Sequence, residues 1–470
     1  MKAGLFGIGL STYWPQFKGL KERLEGYQQQ IAGRLGAEIT LVNAGLIDSI
    51  EGAWAAADLF RKEDVSVIFL YVSTYALSAT VLPVVQKAGS PPVIILNLQP
   101  IKAIDYDWFN KLGDRGVMTG EWLANCQACA VPEIANVFNR AGIKFHQVTG
   151  TLDDEEAWEE IMDWIAATRV AVQMQHNRLG VLGHYYNGML DIYSDLTLQC
   201  ATFGGFVQHL EMCELDELRK EVSASEIAAK RLEIAEAFYV LDECPEAELD
   251  RAAHTAVAMD KLVARHQLGS ICYYYEGMPD NAYEDIISSV ITGNSMLTSR
   301  NVPVAGEYEV KNIQAMKIMD LFGAGGSFTE FYGLDFNEEI ILMGHDGPGH
   351  LSIAEGKPIL KPLGVYHGKP GKGLSVEMKV KYGPVTLMSV VENPGKGLKL
   401  LVAEAESVPG PILQIGNTNG RYKFPMPIKT FVNNWCAEGP AHHCAIGTGH
   451  IAGKLQKLGS LLNIDVIKVC

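Results

Sequence analysis

The sequence predicts an α/β fold: two doubly wound parallel-sheet domains, then a mostly antiparallel, β-barrel-like C-terminal domain. Three observations carry this expectation. Short apolar runs alternate with helical spacing through the first third of the chain. The same alternation resumes at Arg178, and from about Ser327 strands succeed one another with few helices. Continuous apolar strands separated by helices are buried on both faces, as in βαβ units. Closely spaced strands joined by Gly/Pro turns pair with their neighbours and form barrels or sandwiches.

In the first domain the expected strands are Ala3–Ile8, Glu38–Asn43, Val65–Val72, Val93–Leu96 and Ile143–Val148. Helical spacing covers Gly19–Leu35, Ile50–Arg61, Tyr75–Lys87 and Glu121–Arg140. Gly7-Ile8-Gly9 after the first strand is half of a dinucleotide fingerprint, but Thr12 stands where the third Gly belongs. The same glycines also serve a tight turn off a strand. Acidic residues in TLDDEEAWEE suit the first turn of a helix, where they complement the macrodipole. In the second domain Ser223-Ala-Ser-Glu226 forms a capping box, and Pro245 opens a helix with Leu249, Ala253, Ala256, Leu262 and Val263 on one face. A strand at Ser270–Tyr275 and a helix near Tyr283–Ile291 come next. The late strands are Glu339–Met343, Ile359–Tyr366, Leu374–Lys381, Val385–Val391, Leu398–Ala405 and Asp465–Val469, with turns at Lys381–Pro384 and Asn393–Lys396. These changes of pattern divide the chain into an N-terminal α/β domain (1–174), a central α/β domain (175–325) and a C-terminal β-rich domain (326–470).

The 470 residues suffice for several cores, and Lys+Arg 39 against Asp+Glu 55 leaves a net charge of −16. Such a balance argues against nucleic acid and anionic membrane as partners. No apolar stretch approaches the roughly 20 residues that span a bilayer, and the N-terminus lacks the long apolar core of a secretory signal. The nine Cys are scattered and often sit in apolar runs, the habit of thiols in a reducing compartment, so the expected location is cytoplasmic. Cys126-Gln-Ala-Cys129 has thioredoxin-type spacing. It lacks the flanking Trp-Gly-Pro pattern and the second CxxC of a zinc ribbon.

Polar residues gather at Gly306-Glu307-Tyr-Glu-Val-Lys311, at Ser327-Phe-Thr-Glu330-Phe, at Gly344-His345 and at Ala441-His442-His443-Cys444. Glu307 alone reads as an exposed helix-start acid. Glu330, between Phe328 and Phe331, must be paired, metal-bound or protonated if its strand is buried. A lone His345 or His443 reads as an ordinary core or surface histidine. Two carboxylates and two histidines together form a mixed N/O set suited to a divalent ion. Cys436 and Cys444 near the His pair admit zinc, but the carboxylate partners favour a harder ion with open positions. The Tyr273-Tyr274-Tyr275 run and Tyr13-Trp14 serve equally for stacking on a sugar or for packing.

The order GE-x-x-x-K, SF-x-E, a strand ending in Gly-His, and G-x-AHH resembles the L-arabinose isomerase family, within the arabinose/fucose isomerase fold. The resemblance implies a metal set of Glu307, Glu330, His345 and His443, with Lys311 matching the Lys that comes after the first Glu. It implies Mn²⁺, or another divalent ion such as Co²⁺ or Mg²⁺. It also implies a sugar substrate and a homo-oligomer, trimer or hexamer, in which the first domain reaches a neighbour's site. The substrate-side motifs depart from the family. Gly9-Leu10-Ser11-Thr12-Tyr13-Trp14-Pro15 replaces one, and Asn125-Cys126-Gln127-Ala128-Cys129-Ala130-Val131-Pro132-Glu133 replaces another, with Cys129 where the family has His. Thr12, Gln127, Cys129 and Lys311 are therefore the substrate-side candidates, and the sugar differs more readily than the chemistry.

Aldose–ketose isomerisation moves one proton between C2 and C1 and another between two oxygens. The enediolate between them needs its charge held by a Lewis acid and a base within reach of the carbon. Glu307 and Glu330 are assigned as the acid/base pair, with the one that takes the carbon-bound proton left open. Lys311 either lowers a neighbouring carboxylate's pKa or covers a helix face. The expected activity is a metal-dependent isomerase of a pentose or deoxyhexose, L-arabinose isomerase-like. The alternatives are an L-fucose-type or other sugar isomerase of the same fold, and a non-catalytic sugar-binding protein.

Overall fold

Five parallel strands, β1 (Lys2–Ile8), β2 (Thr40–Ile47), β3 (Val67–Tyr71), β4 (Val93–Gln99) and β5 (Phe145–Thr151), form the first sheet in the order β2-β1-β3-β4-β5. The computed structural model describes residues 1–276, 278, 281–366, 369–393 and 395–470. The chain divides into two compact units, Met1–Val172 and Gln173–Cys470. In the first, every residue of β3 is buried, as expected of a strand covered on both faces. Phe6, Phe60, Ile68, Leu70, Val84, Ile95, Ile134 and Phe138 share its core. Gly7 lies close under the helix Leu20–Glu38: a Cβ there would lie 2.5 Å from Gln28 Oε1 and would push that side chain aside.

The sequence-based elements survive with shifted ends. Glu38, expected in a strand, closes the helix Leu20–Glu38. The Tyr75–Lys87 helix is reduced to a turn at Ser78–Thr80 and a helix Leu82–Lys87, because Pro83 is tolerated only in a first turn. The long Glu121–Arg140 helix is two, Arg115–Leu123 and Gln127–Ala141. Asp114 caps the first by accepting from the Val117 N–H, and Cys126 leaves the helical region at φ −103, ψ 44. A short helix Tyr106–Lys111, capped by Asp105, was not anticipated.

The second unit begins with a parallel sheet ordered Val304–Ala305, Ser270–Tyr274, Arg178–Gly183 and Phe206–Leu210. The Ser223–Glu226 capping box is complete, with Ser223 Oγ accepting from the Glu226 N–H and the Glu226 carboxylate accepting from the Ser223 N–H. Pro245 stands just before the helix Glu246–His266, whose Leu249, Ala253, Ala256 and Leu262 are buried. The helix expected near Tyr283–Ile291 is split into Ala282–Ile287 and Ile291–Thr298.

Six antiparallel strands then close into a barrel. In order around the ring they are Gly383–Asn393, His443–Thr448, Gly325–Asp335, Ile340–His345, Thr418–Lys423 and Gly397–Ser407, the last pairing back to the first. Closure removes the exposed edges that an open sheet of these apolar strands would present. Asp465–Lys468 adds a parallel strand to Gly397–Ser407. Ile359–Tyr366 is broken into Ile359–Pro362 and Val365–Tyr366, and Leu374–Lys381 is a strand over Leu374–Glu377 with a single further bridge from Val380 to Ala354. The Asn393–Lys396 turn includes Pro394, which lies outside the described residues. The helix Val310–Leu321 is buried from Val310 to Met319, polar residues included. A helix apolar or buried all round is a core helix. It leads directly from Glu307.

Candidate metal centre

Three neighbouring barrel strands bring three of the four proposed ligands together. Glu330, midway along Gly325–Asp335, stands directly opposite His443 on one side and Gly344 on the other. His345 is the next residue beyond Gly344 and ends its strand. Gly344 itself is obligatory, since a Cβ there would lie 2.0 Å from the Thr418 carbonyl oxygen. The donor atoms of Glu330, His345 and His443 lie within 4.8 Å of one another. Beneath them Phe328 packs its ring against both imidazoles at 4.4 Å. An apolar floor under two buried histidines fixes their rings and keeps water away from one side.

The fourth group arrives from the parallel sheet. After the strand Val304–Ala305 the chain turns at Gly306, and Glu307 and Tyr308 both adopt left-handed backbone angles, φ 56 and 62. Two consecutive residues with side chains in this region are costly and persist only where the surroundings hold them. Here the Tyr308 N–H donates to the Tyr273 carbonyl at 2.9 Å, and the Glu309 N–H to the Gly306 carbonyl at 3.1 Å. The turn aims the Glu307 carboxylate at the histidines: Oε2 is 3.3 Å from His443 Nε2, and Oε1 is 3.8 Å from His345 Nε2. Oε2 is also 3.8 Å from His442 Nε2, so Glu307, His442 and His443 form a second cluster within 4.8 Å.

Buried partners stand behind the imidazoles. His443 Nδ1 meets Glu309 Oε2 at 2.8 Å, with both side chains fully enclosed. His345 Nδ1 accepts from the Gly347 N–H at 3.0 Å and lies 3.2 Å from Asp346 Oδ1. A carboxylate behind a histidine fixes its ring and raises its basicity toward a cation. Burial opposes charge on His345, but Asp346, then Glu307 and Glu330, outweigh it and hold its pKa above the ordinary histidine value. Burial pushes Glu309 well above the usual carboxylate range, against the pull of Lys311, with Asp191 and Glu307 adding to the rise. Two carboxylates and imidazole nitrogens at these separations fit the donor chemistry of a six-coordinate divalent ion.

Of the substrate-side candidates, Lys311 is buried in this unit, and its Nζ donates to the Asp191 carbonyl. The other three belong to the first unit. Thr12 is exposed on the Ser11–Tyr13 turn. Gln127 is buried and donates to the Ser73 and Ala124 carbonyls at 2.9 and 3.0 Å. Cys129 is an exposed free thiol beside the buried Cys126. Glu309, Asp346 and Asp191 were not singled out from sequence. Glu309 lay inside a motif that was, two residues from Glu307, and adjacency to a proposed ligand was its only signal.

The open side of the centre is a cleft of about 330 Å³ lined by Asp191, Glu330, Phe331, Trp435, Cys436, Pro440, Ala441 and His442. Among the described residues, no helix is long and apolar enough to cross a membrane. Residues 325–465, which include all six barrel strands, match the L-arabinose isomerase C-terminal domain. Over 335 residues the chain is 22% identical to the L-arabinose isomerase of Aeromonas salmonicida (strain A449), an alignment covering 68% of this chain and 66% of that protein. With the motif order, the two parallel sheets and the closed barrel, these matches support the chain as a divergent member of the L-arabinose isomerase family.

Proposed function

We propose that the chain is a metal-dependent aldose–ketose isomerase acting on a pentose or deoxyhexose through an enediolate. The observation that carries this reading is the convergence of Glu307, Glu330, His345 and His443, remote in sequence, on one end of the barrel. These four would hold Mn²⁺, or Co²⁺ or Mg²⁺ in its place. When bound, such an ion polarises the sugar carbonyl and stabilises charge on the neighbouring oxygens. Glu307 and Glu330 then carry the carbon-bound proton, one removing it and the same or the other returning it to the adjacent carbon. Phe328 excludes water beneath them, and Glu309 and Asp346 orient the two histidines.

The substrate-side roles of Thr12, Gln127, Cys129 and Lys311 belong to the same proposal. So do the three-domain division, the cytoplasmic location and a homo-oligomeric assembly. Replacing the family's substrate-side His by Cys129 directs the search for a substrate to sugars other than L-arabinose as well as L-arabinose itself.

The test is a screen of aldoses and ketoses with Mn²⁺ present, repeated after chelation and after Mn²⁺ is restored. Turnover is expected to vanish and return, and Glu330→Gln is expected to lower it by about 10²–10⁴ with the fold intact. Full turnover in metal-stripped protein, or in Glu330→Gln, overturns the reading. Metal analysis of the purified protein separates it from a sugar-binding role, which needs no cation.

A further inference from the structure

Asp191 lies on a short turn, Leu190–Ile192, far in sequence from Glu307, Glu330 and the histidines. Its Oδ2 accepts from the backbone N–H of His442 at 3.0 Å and meets His442 Nδ1 at 2.6 Å. Lys311 Nζ donates to the backbone carbonyl of the same Asp191. The turn is thus pinned at both its backbone and its side chain. A carboxylate only accepts hydrogen bonds, so Nδ1 carries a proton to Asp191 and Nε2 is the ring nitrogen left to face the cleft. That nitrogen lies 3.8 Å from Glu307 Oε2, and Asp191, Glu330 and His442 line one cleft. Its ring also packs at 3.8 Å against that of His443, which fixes its plane.

We infer that Asp191 is a positioning residue that holds His442 as the carrier of the hydroxyl proton, while the two glutamates carry the carbon-bound one. This rests on the isomerase reading and adds to it the group for the second proton. In the aldose-to-ketose direction a glutamate takes the proton from C2, and the C–H electron pair becomes the C1=C2 bond. The carbonyl π pair then moves onto O1. His442 Nε2 takes the proton of the O2 hydroxyl and delivers it to O1. The O2 electron pair forms the new C2=O bond, and the C1=C2 pair collects the glutamate's proton at C1. Two protons have moved and nothing has been oxidised or reduced overall.

The experiment compares the unmutated protein with Asp191→Asn and Asp191→Ala on whichever sugar it turns over. The readouts are kcat, KM, Mn²⁺ affinity by calorimetry, and exchange of the carbon-bound proton with deuterated solvent. Asn keeps an oxygen for both His442 contacts, so the expected order of kcat is Asp, then Asn, then Ala. The Ala variant should fall roughly 10–100-fold, as for loss of an orienting partner. KM and Mn²⁺ affinity should stay within about threefold, and exchange should fall less than turnover, because the glutamates still act on carbon. A tenfold loss of Mn²⁺ affinity would make His442 a ligand instead and overturn the inference. So would an unchanged kcat, or exchange and turnover falling in parallel. A wild-type protein that turns over no sugar removes the isomerase reading and this inference with it; active wild type with any of those three results removes this inference alone.

Discussion

Glu309 shows what a single enclosed side chain does to a metal site. It carries no signal of its own in the sequence, because an acid two residues after Glu307 in a turn belongs to no helical or strand periodicity. In the structure it stands behind His443, 2.8 Å from Nδ1, and leaves Nε2 directed at Glu307. Removing such a partner from a histidine ligand costs about 10–100-fold in metal affinity. Glu309→Leu is therefore expected to weaken Mn²⁺ binding by that amount, read by calorimetry on the folded protein. Unchanged affinity would reduce Glu309 to a packing residue. Glu330 was legible for the opposite reason: a carboxylate between Phe328 and Phe331 in an apolar strand demands a partner. Asp191 was not legible, since its contact with His442 spans 251 residues of chain.

At the scale of the element, local chemistry decided more than long-range packing did. The Ser223–Glu226 capping box was readable because all its atoms lie within one turn. The Ser223 backbone N–H, then its hydroxyl, then Lys261 hold the Glu226 carboxyl down at about 2. A depressed carboxylate contributes stability that is fully present above the ordinary glutamate pKa near 4.5 and is lost as pH falls toward 2. Melting of Glu226→Gln against the unmutated protein should therefore differ at pH 7, and the gap should close progressively between pH 5 and pH 2. A gap that stays constant over this window would show that the carboxylate charge is not what stabilises the cap. Ser223→Ala should cost about 1 kcal/mol by loss of the N-cap acceptor. Where element boundaries were missed, as at Pro83 and Cys126, a turn residue or cap interrupted a periodicity that read as continuous.

On the scale of the whole molecule the cores carry the fold. Phe138 is fully buried in the first unit and meets the Phe145 ring at 5.7 Å. Phe138→Ala should destabilise that unit by about 3–5 kcal/mol, seen as a lower urea midpoint at unchanged slope. A loss below about 1 kcal/mol would mean the sheet collapses around the gap. The amino-acid sequence by itself determined the alternation of buried strands and helices, the change to turn-linked strands near Ser327, and the chemical types of Glu307, Glu330, His345 and His443. Periodicity and composition act over a few residues, and these features are local. Only the tertiary structure decided that the late strands close into a ring. It set the register placing Glu330 between His443 and Gly344, and it assigned Glu309 and Asp191 to particular imidazoles. Those choices depend on which distant segments pack together, a preference spread over the whole core and written in no single stretch of chain.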